Sequence, residues 1–453
     1  MYITYLLWYI SHFLREYLLM KKSLRLLIIL LVIVLALTTM TGCTLNYNKY
    51  VGVTEAVIND DGELVITYDD GTTSNLGKVV GKDGKDGING GVGNGGDSIT
   101  IVGGEDNTAL ATSLGLTSSV NVIASFDKGS GTSLESYASA GAGVIYKLDK
   151  STGDAYIITN YHVVYDSSSN TGIAKALTVY LYGMEWSNYG ITAEYIGGSM
   201  TYDIAVLRIK DSDALKSGAY TEAKIANSET ICVGDTAIAI GNPDSMGISA
   251  SVGIISVDSE YITMLGADGV TDVTFRVMRI DTAVNPGNSG GGLYNANGEL
   301  IGIVNAKRID NTLENIGYAI PSNIAVRVAD SLIYYCADKT ATTMKKPLMG
   351  VTIEMSGSSM VIDEETARVS IKETITVKEV SAGSAADGVL EVGDIFVNAY
   401  YGDISFEVTR QYQIIDLMLL VRAGETVSYD VIRNGETVRV DVLITSSCLS
   451  AVS

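Results

Sequence analysis

The chain has 453 residues, a length that allows two or three domains of ordinary size. Its 52 acidic and 31 basic residues give a net charge of −21, which argues against nucleic acid as a partner because phosphate binding needs a basic surface. Four cysteines and two histidines exclude a disulfide scaffold, a cysteine-rich zinc protein and a multi-histidine metal site. We therefore predict no metal and no cofactor.

The first 42 residues have the pattern of a bacterial export signal. Three basic residues precede the uncharged apolar run 26–37, which is shorter than the roughly 20 residues that span a bilayer as a helix. Small residues then lead to Cys43, as in the lipobox of bacterial lipoproteins, where this cysteine is lipidated. The alternative is an uncleaved transmembrane anchor. Both place the rest of the chain outside the cytoplasm.

The same segment contains one of the two histidines, His12. Met20 is a natural start for the signal peptide, so residues 1–19 are either an over-extended start or an additional translated apolar segment. Under each interpretation His12 lies in or before a removed or membrane segment. His162 is then the one histidine of the functional chain.

Two short regions follow the signal. Residues 43–80 have the alternation and turn residues of a small β-hairpin segment. In residues 81–117, glycine occurs at every third position from Gly81 to Gly96, which is the spacing of collagen. The repeat contains no proline, and we favour a flexible linker over a collagen-like trimer stalk.

The remainder divides into two predicted domains. Residues 118–335 contain many short β-branched runs separated by Gly, Asn and Asp, which indicates one or two β-barrels or sandwiches. Residues 347–445 combine strands with a predicted helix over 412–421, and Asn434-Gly435 marks a hairpin turn. The fold class is therefore mainly β, with an α+β domain at its end.

Three segments in the β-rich domain carry residues suited to nucleophilic catalysis. His162 follows an apolar strand, Asp203 precedes one, and Ser289 stands in a glycine-rich turn. A serine hydroxyl needs a base within hydrogen-bond reach, an imidazole can serve, and a buried carboxylate can orient that imidazole. Each signal is weak alone, but the order His, Asp, Ser is that of chymotrypsin-like enzymes.

The glycines around the serine suit an oxyanion hole. A tetrahedral intermediate needs backbone N–H groups directed at its oxygen, and a tight turn without Cβ atoms can provide them. We predict that the turn Gly287, Asn288 and Ser289 forms this hole, with the Gly287 and Ser289 N–H groups as donors.

These motifs together resemble the HtrA (Deg) family of serine proteases over about residues 118–445. The family pairs a trypsin-like double β-barrel with one or more C-terminal PDZ domains and degrades misfolded exported proteins without ATP. One departure is Gly292, where the family usually has proline or alanine. We expect this glycine to loosen the entry to the next strand without removing a catalytic group.

The resemblance also implies a specificity pocket without charged walls. Its walls would be Val284 and the stretch 315–320, and Ala283 stands where trypsin-like enzymes carry an acid. Cleavage after small or medium aliphatic residues is therefore expected, although these residues could also simply be core. The pocket residues are Val284, Ile316, Gly317, Tyr318 and Ala319.

The C-terminal region resembles a PDZ domain, so a loop of backbone N–H groups would hold the terminal carboxylate of a peptide. This loop would consist of Leu348, Met349, Gly350 and Val351. A peptide bound there would add a strand to a sheet edge. Alternatively, the domain only packs against the protease and regulates it.

The leading hypothesis is a membrane-anchored, extracytoplasmic serine endopeptidase of protein quality control whose partners are unfolded proteins and peptides. A catalytically silent, chaperone-like peptide-binding protein is the alternative. Family members are commonly trimers, so the resemblance also implies a homotrimer.

Overall fold

A computed structural model of the chain describes residues 53–58, 63–68, 71–78, 107–185, 188–243, 247–305, 316–338, 341, 343–364 and 366–452. These residues fall into two compact units, divided between Ile101 and Val102. The predicted export signal, Cys43 and the glycine repeat from Gly81 to Gly96 lie outside the described residues. No helix in the described ranges combines the length and the apolar composition that a membrane crossing requires.

The first unit contains a small antiparallel sheet with the order β1-β2-β3. The third strand extends the hairpin predicted for this region, although its sequence Thr-Ser-Asn-Leu-Gly-Lys has little apolar alternation. Gly71 in the turn before it has φ +79°, a conformation that favours glycine. The strands are β1 (Val53–Ile58), β2 (Glu63–Tyr68) and β3 (Thr73–Lys78).

The second unit begins with helix α1 (Thr108–Ser118), which the sequence analysis assigned to the linker. A Cβ on Gly115 of this helix would lie 2.6 Å from Cδ1 of Ile240 and 3.1 Å from the Tyr294 ring. Glycine leaves room for these side chains, and α1 packs closely on the barrel that contains Ile240 and Tyr294. The predicted linker therefore includes a packed helix.

A closed barrel of six strands follows, with the order β4-β5-β6-β9-β8-β7. Its apolar residues alternate along β4, and Val120, Val122, Ala124 and Phe126 are buried. The strands are β4 (Ser119–Lys128), β5 (Glu135–Asp149), β6 (Asp154–Thr159), β7 (Ala176–Leu181), β8 (Ile191–Ser199) and β9 (Ile204–Ile209). Helix α2 (Tyr161–Val164) follows β6, and α3 (Asp213–Ser217) follows β9.

A second closed barrel repeats this strand order as β10-β11-β12-β15-β14-β13. Helix α4 (Ser322–Cys336) follows it and contacts strands of both barrels. The prediction of a mainly β, trypsin-like double barrel is confirmed. The strands are β10 (Thr236–Gly241), β11 (Ser249–Leu265), β12 (Asp272–Ile280), β13 (Gly292–Tyr294), β14 (Leu300–Asn305) and β15 (Gly317–Pro321).

The C-terminal domain has its own apolar core around Tyr429, under a sheet with the order β17-β18-β19-β21-β22. Its helix α5 (Gln411–Leu417) overlaps the predicted helical region 412–421, beginning one residue earlier and ending four residues earlier. A two-stranded sheet of β16 and β23 joins the ends of the domain. The strands are β16 (Met344–Pro347), β17 (Val351–Ile362), β18 (Val369–Val380), β19 (Ile395–Tyr401), β20 (Ile404–Glu407), β21 (Thr426–Arg433), β22 (Glu436–Leu443) and β23 (Leu449–Val452).

Candidate active site

The three predicted catalytic side chains lie together between the two barrels. His162 is in α2, directly after β6, and Asp203 immediately precedes β9. Ser289 stands in the turn that leads into β13. The first barrel thus provides the imidazole and the carboxylate, and the second provides the hydroxyl.

Hydrogen bonds connect the three groups in a line. His162 Nδ1 lies 2.7 Å from Asp203 Oδ2, and His162 Nε2 lies 2.8 Å from Ser289 Oγ. The backbone N–H of His162 donates to the other carboxylate oxygen at 3.0 Å. With a proton on Nδ1 directed at the carboxylate, Nε2 is left to accept the serine proton, as a general base must.

Asp203 has an unusual backbone conformation that its surroundings hold in place. Its φ of +50° lies in the left-handed region, which aspartate and asparagine tolerate better than most residues. The side-chain amide of Asn160 donates to the Asp203 carbonyl at 2.8 Å, and the Tyr161 N–H donates to the same carbonyl at 3.2 Å. The end of β6 therefore fixes the segment that carries the carboxylate.

Tyr161, the residue before His162, has an uncharged side chain. Its ring stacks on that of Tyr165 with 5.0 Å between centroids. Burial raises the pKa of Tyr161 to about 12, with smaller contributions from Tyr165 and Asp268. The phenol beside His162 is therefore uncharged at neutral pH.

A tight turn precedes the serine. Asn288 N–H donates to the Asn285 carbonyl at 3.0 Å, with Pro286 and Gly287 between them. Proline at the second position and a glycine with φ +97° at the third are typical of a type II turn. The Ser289 carbonyl accepts from the Ala142 N–H of the first barrel at 2.8 Å, which ties the turn to the opposite barrel.

The glycines after the serine are required by close backbone contacts. Gly290 has φ +84°, and a Cβ there would lie 2.3 Å from both the Ala142 carbonyl oxygen and Thr159 Oγ1. A Cβ on Gly291 would lie 2.2 Å from the Ile240 carbonyl oxygen. Both distances are far below van der Waals contact, so no other residue fits this backbone path.

The residues of the predicted oxyanion turn differ in how they use their backbone N–H groups. The Asn288 N–H is engaged by the Asn285 carbonyl and is not available to a ligand. The Gly287 N–H donates no hydrogen bond within the part of the chain that the structure describes. Asn288 therefore contributes to the shape of the turn, while Gly287 can present a donor.

Asn305 is a site residue that the sequence analysis missed. It ends β14, is buried, and donates from Nδ2 to Asp203 Oδ2 at 2.9 Å. A polar residue at the end of the fully buried run Leu300–Asn305 was the signal that could have found it.

The predicted pocket residues fall into two groups. Gly317 faces Val284, since a Cβ on Gly317 would lie 2.7 Å from Val284 Cγ2, while Ile316 and Tyr318 are half-buried. Ala319 is fully buried in the apolar core of the second barrel, which favours a core role. Asn315 and the preceding residues 306–314 lie outside the described ranges.

The predicted carboxylate loop lies at the start of edge strand β17. Leu348 N–H donates to the Cys448 carbonyl at 2.9 Å, so it is already engaged. The N–H groups of Met349 and Gly350 donate no hydrogen bond to other described residues. Gly350 has φ +80°, and the loop enters β17 through Val351.

A buried ion pair joins the C-terminal domain to the second barrel. Arg276 of β12 donates twice to Asp416 of α5, at 2.6 and 3.0 Å, and its guanidinium lies 3.8 Å from the Tyr412 ring centroid. Lys346 of β16 donates to the Tyr202 hydroxyl at 2.9 Å. Burial lowers the pKa of Lys346, and the nearby Asp416 charge opposes this effect.

A cavity of about 640 Å³ lies elsewhere, between the second barrel and the β17–β18 turn. Its lining includes Asp235, Glu299 and Arg368 and none of the predicted site residues. In the described ranges, no three His, Cys, Asp or Glu side chains form a group that could hold a metal ion.

The double barrel places the protein among the trypsin-like serine peptidases, and a family model described as a trypsin-like peptidase domain matches residues 141–303. The chain is 32% identical over 322 residues to the serine protease Do-like HtrA of Lactococcus lactis subsp. cremoris, covering 68% of this chain and 72% of the relative. It is 31% identical over 319 residues to the periplasmic pH-dependent serine endoprotease DegQ of Escherichia coli, and this match covers 69% of this chain and 61% of DegQ. A solved structure of the HtrA-type protease AlgW with a tripeptide aligns with a TM-score of 0.47 and 27% sequence identity. The alignment covers 76% of this chain and 97% of the AlgW chain.

The chain belongs to the HtrA family of serine proteases. It is a serine endopeptidase, and the family assignment made from the sequence motifs is confirmed.

Proposed function

We propose that this endopeptidase degrades unfolded or misfolded exported proteins outside the cytoplasm, using Ser289 as nucleophile, His162 as general base and Asp203 as the orienting carboxylate. The observation that carries the proposal is the continuous line of hydrogen bonds from Asp203 Oδ2 through His162 to Ser289 Oγ. The buried carboxylate stabilises the imidazolium that forms when the serine gives up its proton.

The proposed cycle consumes only water. Ser289 Oγ attacks the scissile carbonyl, His162 Nε2 takes the hydroxyl proton, and the Gly287 and Ser289 N–H groups stabilise the oxyanion. The imidazolium then protonates the leaving amine. A water molecule, deprotonated by His162, hydrolyses the acyl-enzyme and restores the serine hydroxyl. No step requires a nucleotide, which supports ATP-independent proteolysis.

The proposed specificity is for small or medium aliphatic residues before the cleaved bond. Val284 and Gly317 lie against each other and carry no charge, and Ala283 replaces the acid that would attract Lys or Arg. Ile316 and Tyr318 complete the proposed walls, whereas the burial of Ala319 favours support of the wall from behind. An uncharged pocket pairs best with an apolar side chain.

The C-terminal domain is proposed to be a PDZ domain that binds the carboxyl ends of peptides. The Met349 and Gly350 N–H groups and the position of β17 at the edge of its sheet support this, because a bound peptide could place its carboxylate at the loop and pair with the edge strand. Leu348 would shape the loop, and Val351 would begin the pairing.

A lipid on Cys43, or an uncleaved apolar helix, is proposed to hold the protein at the outer face of the cell membrane. The proposed assembly is a homotrimer. The export pattern of residues 1–42 supports the location, and DegQ is named as periplasmic. Replacing Cys43 with serine tests the lipid: we expect release of the protein from membranes, and retained association would favour the helix.

The central experiment compares the purified full-length protein with Ser289→Ala on fluorescein-labelled, unfolded casein. We expect the wild type to release labelled peptides and the variant to lose at least about 10⁴-fold in rate. Equal rates would remove the proposed nucleophile and favour the catalytically silent, peptide-binding alternative.

A further inference from the structure

The Asp203 carboxylate has a partner beyond the proposed triad. Asn305 Nδ2 donates to Asp203 Oδ2 at 2.9 Å, and the same oxygen is 2.7 Å from His162 Nδ1. Asn305 is 2% exposed and Asp203 is 5% exposed, so water does not compete strongly for this contact. Hydrogen bonds to a charged group in such surroundings are among the stronger ones in proteins.

The two partners of this oxygen belong to different barrels. His162 belongs to the first barrel, whereas Asn305 ends β14 of the second barrel and is paired with Tyr318 of β15. The hydrogen bond therefore joins the two barrels directly at the carboxylate. Its donor position is fixed by the strand ladder of the second barrel.

We propose that Asn305 is a positioning residue, which orients the Asp203 carboxylate toward His162. The inference rests on the proposed function, in which Asp203 orients the base. An amide suits this task because it donates a hydrogen bond without adding a charge and does not titrate.

The surroundings of Asp203 leave few other groups for this role. The titratable residues next to it are His162 and Tyr161 of α2 and Tyr202 in its own turn, and β14 contributes the neutral Asn305. Burial raises the pKa of Tyr202, which therefore stays uncharged at neutral pH. Asn305 is the donor to Asp203 Oδ2 that the second barrel supplies.

The test measures how fast a fluorophosphonate reacts with the full-length protein between about pH 5 and 9. In this reaction Ser289 Oγ bonds to phosphorus, fluoride leaves and His162 takes the hydroxyl proton. Asn305→Leu keeps a similar volume without the donor, and Asn305→Ser keeps a shorter donor. Asn121→Leu is the matched control, because Asn121 is a buried asparagine of the first barrel outside the site.

We expect Asn305→Leu to react about tenfold more slowly at neutral pH. The acid limb of its rate profile should move to lower pH by roughly half a unit, because a carboxylate that is no longer oriented toward His162 stabilises the imidazolium less. Asn305→Ser should recover part of both losses. Asn121→Leu should keep the wild-type profile, whatever its melting temperature.

Two results would overturn the inference: a folded Asn305→Leu with the wild-type rate and profile, or a slower rate with an unmoved acid limb and no recovery in Asn305→Ser. If Asn305→Leu does not fold, Asn305→Ala provides the same comparison with less bulk. A wild type that reacts no faster than Ser289→Ala would instead reject the proposed function together with this inference.

Discussion

The two barrels have the same strand order but hold their parts of the site by different means. In the first barrel, the His162 ring and the Asn160 side-chain amide hold Asp203, together with the backbone N–H groups of His162 and Tyr161. In the second barrel, the backbone fixes Ser289, whose turn is connected by main-chain hydrogen bonds from Gly290 to Val304 and from Ala142 to Ser289.

This difference follows from what each group must do. A base and its orienting acid exchange or stabilise a proton at defined atoms, so directional side-chain hydrogen bonds suit them. A turn that stabilises an oxyanion must direct main-chain N–H groups, which calls for an unobstructed backbone and hence for glycine. Substitutions in the first barrel should therefore impair chemistry at constant fold, and those in the second should distort the backbone.

The largest effect is expected for Asp203→Asn. Asparagine tolerates the φ of +50°, so the backbone should remain, but an amide in place of the carboxylate no longer stabilises the imidazolium. We expect the kcat/KM for labelled casein to fall by roughly 10⁴-fold. Circular dichroism should give an unchanged spectrum. A loss below tenfold would mean that the first barrel does not act through this carboxylate.

Gly290→Ala should damage both activity and stability. Its new Cβ would meet the Ala142 carbonyl oxygen and Thr159 Oγ1 at 2.3 Å, at a φ of +84°. We expect activity to fall about 100-fold through displacement of Ser289, and the free energy of unfolding to fall by about 3 kcal/mol.

The matched control for that substitution is Gly435→Ala. Gly435 has a similar φ of +86°, but no atom lies within 4 Å of its ideal Cβ position. Backbone strain alone should cost about 1 kcal/mol, measured by urea unfolding, with full protease activity. Equal costs at the two positions would show that close contact is not what requires glycine in the nucleophile turn.

Asn160→Ala should lower the catalytic activity moderately and change the stability little. It removes one of the two donors to the Asp203 carbonyl, and it also removes Asn160 Oδ1, which has no hydrogen-bond partner in the described part of the chain. The two changes oppose each other in stability, so we expect a loss below about 1 kcal/mol. The kcat/KM should fall about tenfold. A stability loss without a rate loss would contradict side-chain control of Asp203.

Sequence patterns were informative where one short segment carried the signal. The strands around His162, Asp203 and Ser289 have apolar runs, and the glycine turn is local, so motif and fold class could both be predicted. The contact between Asn305 and Asp203 could not be predicted, because the two residues lie 102 positions apart and meet only after both barrels close. The ion pair between Arg276 and Asp416 could not be predicted for the same reason, because only tertiary packing brings the two domains together.

Gly292, where the family usually has proline or alanine, shows that packing can change how a single residue is interpreted. The glycine was expected to loosen the entry to β13, but a Cβ there would lie 2.4 Å from Cε2 of Tyr294. The fully buried Tyr294 ring fills this space, and its hydroxyl lies 3.0 Å from Ser118 Oγ of α1. The strand entry is therefore packed by a side chain two residues further on, a relation that a single-position comparison does not reveal.

The smallest effect on activity is expected for Gly292→Ala. The added methyl group would push the Tyr294 ring away from α1, and overpacking of this kind costs about 1–3 kcal/mol of unfolding free energy. The nucleophile turn ends before this position, so the kcat/KM should stay within about threefold of the wild type.

A double-mutant cycle with Tyr294→Leu identifies the cause. Tyr294→Leu alone should destabilise through a cavity and the lost hydroxyl contact, by about 2–4 kcal/mol. If the ring occupies the space that a residue-292 side chain would need, the double variant should be more stable than the sum of the single effects predicts, by at least about 1 kcal/mol. Strict additivity would instead place the cost of Gly292→Ala in the backbone of β13. The second barrel would then depend on glycine beyond the nucleophile turn as well as within it.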